Sequence, residues 1–401
     1  MGWGKGFYTC YINSRCFAIM YIFSSIFITK ILTVIHAMKH KLLFLLLLFA
    51  AAPAFPQSER PKELVQKAIA LMDEGNYDAS IATLEEALVL DPKNPNIEYE
   101  LALAYYLKED YSKALDATKK LIKTKKAFDQ VYQLRGNSYD MMGNRDKALK
   151  TYEAGLKKFP SSGPLYLEKG IVLLKEEQNE QALATFEAGI AAAPLHPSNY
   201  YWAAKLFLGS EEEVWGMLYG ELFRVLEPNS ERSTEISKLL YDTYKSEIKY
   251  TSDTSMSVSF SKNNIIGFSK KGSSLNLPFG TVAYETTLAM SAAGTRQIDL
   301  ASLNKIRTSF VQNFYKNEIN TRFDNPLFQW QQTLLNEQQL EAYNYWLLQA
   351  GNPEQYNSWL EQNQAQLDAF VAWFNENGQP ISKDSYVHRS KLDNISLTAG
   401  E

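Results

Sequence analysis

Cysteine is nearly missing from this 401-residue chain, and histidine is scarce. Both cysteines, Cys10 and Cys16, fall within the first 57 residues. The rest of the chain therefore has no disulfide framework, no thiol nucleophile and no Cys-ligated zinc. Beyond residue 57 only His196 and His388 remain for acid–base or metal chemistry. No Gly-x-Ser-x-Gly, His-Glu-x-x-His or phosphate-binding loop occurs there either. Acidic residues are missing from the other end. Residues 1–57 hold five basic side chains (Lys5, Arg15, Lys30, Lys39, Lys41) and no Asp or Glu. Residues 58–401 carry 36 basic against 45 acidic side chains, about −9. Such a body lacks the surplus of Lys and Arg that displaces counterions from phosphates, which excludes nucleic acid as a partner. No cofactor or metal and no enzymatic activity is expected.

From Met38 the chain reads Met-Lys-His-Lys, then an apolar run from Leu42 to Phe49, then small residues ending in Ala52-Pro53-Ala54. A basic start, a short apolar stretch and a small-x-small site are the parts of an export signal, here residues 38–57, with cleavage expected after Ala54. The apolar run is short for a bilayer span. Residues 1–37 have two readings: a start placed too early, Met38 being the true one, or a first membrane helix over Phe17–Ile35. The expected location is the periplasm or cell envelope, with membrane contact only through residues 1–54 if they are retained.

The dominant feature is a repeat. Pro92, Pro160, Pro194 and Pro228 stand 34 residues apart or at twice that spacing. Small residues share the period: Ala68, Ala102, Gly136, Gly170 and Ala204, and again Ser80, Ala114, Ala148, Ala182 and Gly216. Turn residues fall in register at Gly75-Asn76, Glu109-Asp110, Gly143-Asn144 and Glu177-Gln178. This period defines five units, 61–94, 95–128, 129–162, 163–196 and 197–230. Each is two antiparallel helices crossing at the small residues, because larger side chains would push the axes apart. The run Gly143-Asn144-Arg145-Asp146-Lys147-Ala148-Leu149, then Tyr152 and Pro160, resembles the tetratricopeptide repeat family, and more diffusely its exported members in the Bacteroidota. The resemblance implies an all-α fold, a right-handed α-α superhelix. The fifth unit departs from the pattern at Gly209–Glu213 and at Gly220, where a bulky residue is expected, and should be irregular.

Residues 231–250 read as a helix capping the array. Residues 251–280 hold eight serines. Ser255–Ser261 alternates like a strand, with Met256, Val258 and Phe260 on one side, and Ile265–Phe268 is its expected hairpin partner, with a loop as the alternative. Residues 281–378 resume helical periodicity and are read as a separate small helical domain, and 379–401 as a poorly ordered tail. Residues 326–376 contain ten aromatics and sixteen Gln or Asn.

The triplets Ser252-Asp253-Thr254, Ser259-x-x-Lys262 and Lys270-Lys271-Gly272 imitate a β-lactamase set, in the wrong order and crammed together. His196 reads as a turn residue, and Glu85-Glu86 and Glu211–Glu213 as solvated carboxylates. The stronger functional argument is the concave face of the stacked first helices. It offers Tyr99 and Tyr106, then Gln133, Asn137 and Asp140, then Lys175, then Tyr201 and Lys205, suited to a peptide or partner helix. The leading reading is a non-catalytic scaffold for protein–protein interaction, with another envelope protein or a peptide as partner. The alternative is a glycan- or peptidoglycan-binding module using the aromatic carboxy-terminal helices.

Overall fold

The computed structural model describes residues 59–252, 255–262, 267–268, 274–393 and 396–398, the strands at 267–268, 274–276 and 396–398 by their backbone. The export segment, both cysteines and the Lys270-Lys271-Gly272 triplet lie outside the described residues.

The 34-residue period becomes five helix pairs. They are α1 (Arg60–Asp73) with α2 (Tyr77–Leu90), α3 (Pro95–Leu107) with α4 (Tyr111–Lys123), α5 (Asp129–Met141) with α6 (Arg145–Leu156), α7 (Gly163–Lys175) with α8 (Asn179–Ala192), and α9 (Pro197–Leu208) with α10 (Glu213–Leu226). One turn is used four times. Gly75, Glu109, Gly143 and Glu177 all have positive φ, between 59° and 76°. The following amide reaches back five residues, as in Asn76 N to Leu71 O and Asn144 N to Tyr139 O, both 2.8 Å. This closes the first helix with a left-handed residue. The next residue opens the second helix: Asp110 Oδ1 accepts from Lys113 N (3.1 Å) and Asn144 Oδ1 from Lys147 N (3.3 Å).

The small residues stand where the helices cross. A Cβ on Gly136 would lie 2.1 Å from Tyr152 Cε1, and one on Gly170 2.3 Å from Phe186 Cε1. Ser80 occupies an alanine position by donating its hydroxyl to Ala68 O (2.8 Å). In the fifth unit Gly220 takes the place of Tyr152 and Phe186. The vacated space is filled by Leu240 and Ile236, whose side-chain atoms would lie 3.0 and 3.2 Å from a Cβ there. Both belong to α11 (Glu231–Glu247). The fifth unit is thus two ordinary helices with an altered turn and a closer neighbour.

Every residue of α10 from Val214 to Val225 is buried. A helix apolar all round must be covered all round, and the chain after 250 provides the cover. α11 therefore does not end the array. It leads into β1 (Ile248–Ser252), which pairs antiparallel with β2 (Ser255–Val258). The alternation of β2 is as the sequence shows it, Ser255, Ser257 and Ser259 exposed and Phe260 buried. Its partner is not the expected Ile265–Phe268, because β1 continues directly from α11 and needs only a short turn to meet it. Instead β3 (Gly267–Phe268) pairs with β4 (Ser274–Asn276).

A π-helical turn, Phe279–Glu285, leads into α12 (Thr286–Ala292) and α13 (Leu300–Lys316). Then come α14 (Pro326–Asn336), α15 (Leu340–Leu348) and α16 (Pro353–Asn377). One apolar cluster runs from Leu173 through α10 to Leu392, and residues 61–401 form one compact unit. The region 281–378 is therefore not a separate domain: it shares its core with units four and five. Gly351 shows how closely it packs, since a Cβ there would sit 2.1 Å from the Tyr241 side chain on α11. Nor is 379–393 a loose tail. Ile381, Val387 and Leu392 are buried, α17 (Arg389–Leu392) comes next, and β5 (Ser396–Thr398) pairs with β4.

This packing sets two expected outcomes. Glu109→Gly should raise stability by about 0.5–1 kcal/mol by removing left-handed strain, and Gly143→Ala should lower it by about 1 kcal/mol or more; thermal melts of both variants check the pair. Asp393 accepts from Phe279 N at 3.4 Å. Burial lifts its carboxyl to about 6 from an ordinary 3.8, while the Phe279 amide and Arg389 pull the other way. A raised value in the folded state favours folding below pH 4, and that gain is lost as pH climbs through 6. Asp393→Asn should therefore match the wild type near pH 4 and melt higher at pH 8, by about 1 kcal/mol after allowance for solvent.

Candidate functional site

The first-helix face brings most of the sequence-derived groove residues together, but largely as partners of one another. Gln133 Nε2 donates to Glu168 Oε1 (2.9 Å). Asn137 Oδ1 accepts from the buried Tyr152 hydroxyl (2.6 Å). Asp140 accepts from Lys175 Nζ (2.6 Å). Tyr106 belongs to the same cluster: burial raises its pKa, followed by Tyr111, Glu168 and Asp140. At the far end Tyr201 and Lys205 both donate to Glu235 of α11, at 2.5 and 2.7 Å. Lys205 Nζ also lies 5.2 Å from the Tyr201 ring centre. Tyr99 stands apart, edge-on to Phe128 with centroids 5.1 Å apart.

These bonds step along the array at the repeat length. Ser162 Oγ donates to Asp129 Oδ2 (2.7 Å) across 33 residues, Gln133 meets Glu168 across 35, and Asp140 meets Lys175 across 35. The polar side of the groove thus ties the third unit to the fourth, while the Ser162–Asp129 bond closes the third unit on itself. Apolar side chains of the first helices are exposed as well: Ile69 is 38% exposed, Leu107 38% and Met141 54%. Leu107 and Met141 are one period apart, and Tyr106 precedes Leu107. The sequence signal for them is the period itself, applied to the last helical position as well as the inner ones. Among the described residues, the 34-residue spacing also marks one gap on another side. A cavity of about 300 Å³ opens beside Glu98, Leu101, Tyr105 and Lys113. One period later Tyr132 and Arg135 replace Glu98 and Leu101, and Arg135 donates to Leu115 O (2.6 Å).

The remaining candidates are structural. Ser259 is exposed, and Lys262 pairs with Glu211. Glu212, expected to be solvated, accepts from Ser261 Oγ (2.7 Å) and Lys262 N (3.1 Å) and so anchors the segment after β2. His196 packs on Gly163, and burial, then Arg232, lowers its pKa. His388, placed by sequence in a loose tail, contacts Glu187 O through Nε2 (3.2 Å). Beside it Arg389 grips the Glu187 carboxylate at 3.0 and 2.6 Å. Among the described residues no His, Cys, Asp and Glu side chains gather in a group of three or more that could hold a metal.

Glu221 of α10 is a deeply buried charge. Its Oε1 accepts from Arg307 Nη2 (2.7 Å), Gln331 Nε2 (2.6 Å) and Tyr343 OH (2.7 Å), and Oε2 accepts from Arg307 Nη1 (3.1 Å). Burial works against the Arg307 charge, yet Glu221 holds it well above its ordinary range. Three elements of the carboxy-terminal region thus converge on one side chain of the fifth unit.

A family model described as TPR repeat matches residues 69–109, and one described as Tetratricopeptide repeat matches 134–197. Among solved structures, a thermophilic TPR protein of Thermus thermophilus is 19% identical, aligned over 45% of this chain and 98% of its own, with a TM-score of 0.38. PilF of Pseudomonas aeruginosa is 18% identical over 47% of this chain and 85% of its own, with a TM-score of 0.40.

The Asn137–Tyr152 bond generates a prediction. Asn137→Ala strands a buried hydroxyl and should cost about 1–3 kcal/mol. Adding Tyr152→Phe should recover part of that loss, so a double-mutant cycle of melts should show clear coupling.

Proposed function

We propose that this chain, which is a tetratricopeptide repeat protein, holds its partner along the first-helix face of units one to three through apolar anchors. The coarse part comes from the repeats, which make it a scaffold for protein–protein interaction. The finer reading rests on one observation: the polar groove residues Gln133, Asn137, Asp140 and Lys175 are engaged within the protein, while Ile69, Leu107 and Met141, one on the first helix of each of these units, are exposed. Exposed apolar side chains spaced one per unit suit an amphipathic helix or an extended peptide presenting apolar residues at matching intervals. Asp140, Gln133 and Asn137 then act by fixing the curvature of that face, and Lys175 by neutralising Asp140. Export to the cell envelope completes the reading, supported by the basic, apolar and small-residue order of residues 38–57.

Leu107→Asp with Met141→Asp should abolish capture of the partner from envelope fractions and leave melting nearly unchanged, since both side chains already meet water. Anchors of this kind are worth about 1–2 kcal/mol each, and every 1.4 kcal/mol is about tenfold in affinity. Lys150→Ala with Lys157→Ala, on the outer helix, should keep the partner; the reverse pattern would sink the groove reading. Mass spectrometry of the mature protein should show an amino terminus near Phe55 to Ser58, and recovery of intact residues 1–54 would remove the export proposal.

A further inference from the structure

The geometry points to a second binding site, for a neutral oligosaccharide, where α16 bends over the start of α13 and the end of α15. This inference is independent of the partner groove. An open cavity of about 510 Å³ lies there, within the usual range for ligand pockets, about 300–1,000 Å³. Its floor is an aromatic pair, Tyr345 and Trp359, stacked with centroids 4.3 Å apart and planes 8° apart. Tyr345 covers one face of the indole, and the indole N–H donates to Glu341 Oε1 (3.2 Å). Tyr356 stands tilted beside the same indole, centroids 6.2 Å apart, and the half-buried ring lines the cavity, an apolar plate of the kind the C–H face of a pyranose ring packs on.

Around the plate stand amides and a hydroxyl: Asn352, Gln355, Ser358, Gln362 and Asn363. None of the lining residues is Lys or Arg, and Glu354 is among them. Two helix starts meet at this cavity, and three of their amides are already engaged. Leu300 N donates to Gln355 Oε1 (3.0 Å), Ser302 N to Asp299 Oδ1 (2.7 Å) and Gln355 N to Asn352 Oδ1 (3.2 Å). An anion would meet Glu354 and occupied donors, whereas a neutral polyol needs the alternating donor and acceptor capacity that side-chain amides supply.

The bend in α16 belongs to the same site. Asn363 leaves helical geometry at φ −128°, ψ 21° in the middle of the 25-residue helix. Its Nδ2 donates to Trp359 O (2.8 Å), the carbonyl that the Asn363 main-chain amide serves in an unbroken helix. A break of this kind has an identifiable cause, here a side chain in the hydrogen-bond ladder. It falls one turn after the plate, among the lining residues, and re-aims the helix just past Trp359.

The test uses the full chain and three neutral hexasaccharides, maltohexaose, cellohexaose and N-acetylchitohexaose, with binding read by calorimetry and tryptophan fluorescence. At least one should bind with a millimolar or tighter constant and shift the tryptophan emission. Trp359→Ala should weaken binding about tenfold or more, which is about 1.4 kcal/mol. Because Trp359 also packs on Tyr345, Ser358→Ala with Gln362→Ala is the companion variant. Both side chains are exposed, and the pair should lose several-fold in affinity at unchanged melting temperature. Binding of none of the three sugars, or equal binding by wild type and the Ser358/Gln362 pair, would overturn the site. The groove variants Leu107→Asp and Met141→Asp should bind the sugar normally, which keeps the two readings apart.

Discussion

The architecture depends on how one carboxylate is satisfied inside an apolar helix. Glu221 sits at 5% exposure in the middle of α10, where an unpaired charge would cost several kcal/mol. Its neighbours in sequence are apolar, so every partner must come from elsewhere, and they come 86, 110 and 122 residues downstream. Arg307 in turn gives its remaining donors to Tyr244 OH (2.9 Å) and Asn344 Oδ1 (2.7 Å). Every satisfied atom therefore fixes a second element, and the arrangement admits one placement of the carboxy-terminal helices. Arg224, one turn further along α10, repeats the logic. It donates to Ser233 Oγ (2.5 Å) and Trp346 O (2.8 Å) with its guanidinium 4.2 Å from the Trp346 ring centre, and burial draws its pKa down to about 10.

Much of this is legible in residues, and the rest is hidden for a definable reason. The period of small residues places the helix crossings, because Gly136 and Gly170 tolerate no Cβ against Tyr152 and Phe186. The turn residues place the left-handed positions, two of which are glutamates that propensity alone would not choose. The wrapping of the fifth unit is also written down, in Val214–Val225, where two charged residues among twelve are too few to make a face that meets water. Spacing hides it, because Gly209–Glu213 and Gly220 read as a failing repeat rather than as a repeat with a different neighbour. Strand pairing is the opposite case: β2 shows its own alternation, but nothing in an alternating run names its partner.

The candidate site is legible in position and not in role. Residues on the first-helix face are placed by spacing, yet spacing cannot tell whether Asn137 faces a ligand or Tyr152. The cross-unit bonds explain why so many polar residues sit there. The small apolar clusters of the array already bridge neighbours, Ala68 and Leu84 clustering with Ile97 and Ala104 of the second unit, and Tyr132 and Tyr152 with Leu165 and Val172 of the fourth. The polar bonds between the third and fourth units add orientation.

The long reach between Glu187 and Arg389, 202 residues apart, bears on how the chain is made. On a ribosome, the first units can pair their helices as they emerge, since their contacts are local. α10 cannot, because its cover is synthesised 86 to 122 residues later. Until Arg307, Gln331 and Tyr343 arrive, the fifth unit is an apolar helix carrying an unanswered charge, and the nascent chain stays half assembled. Folding of this protein is thereby divided in time: an amino-terminal array that can form as it emerges, and a closure that must wait until residues 307–389 have been made.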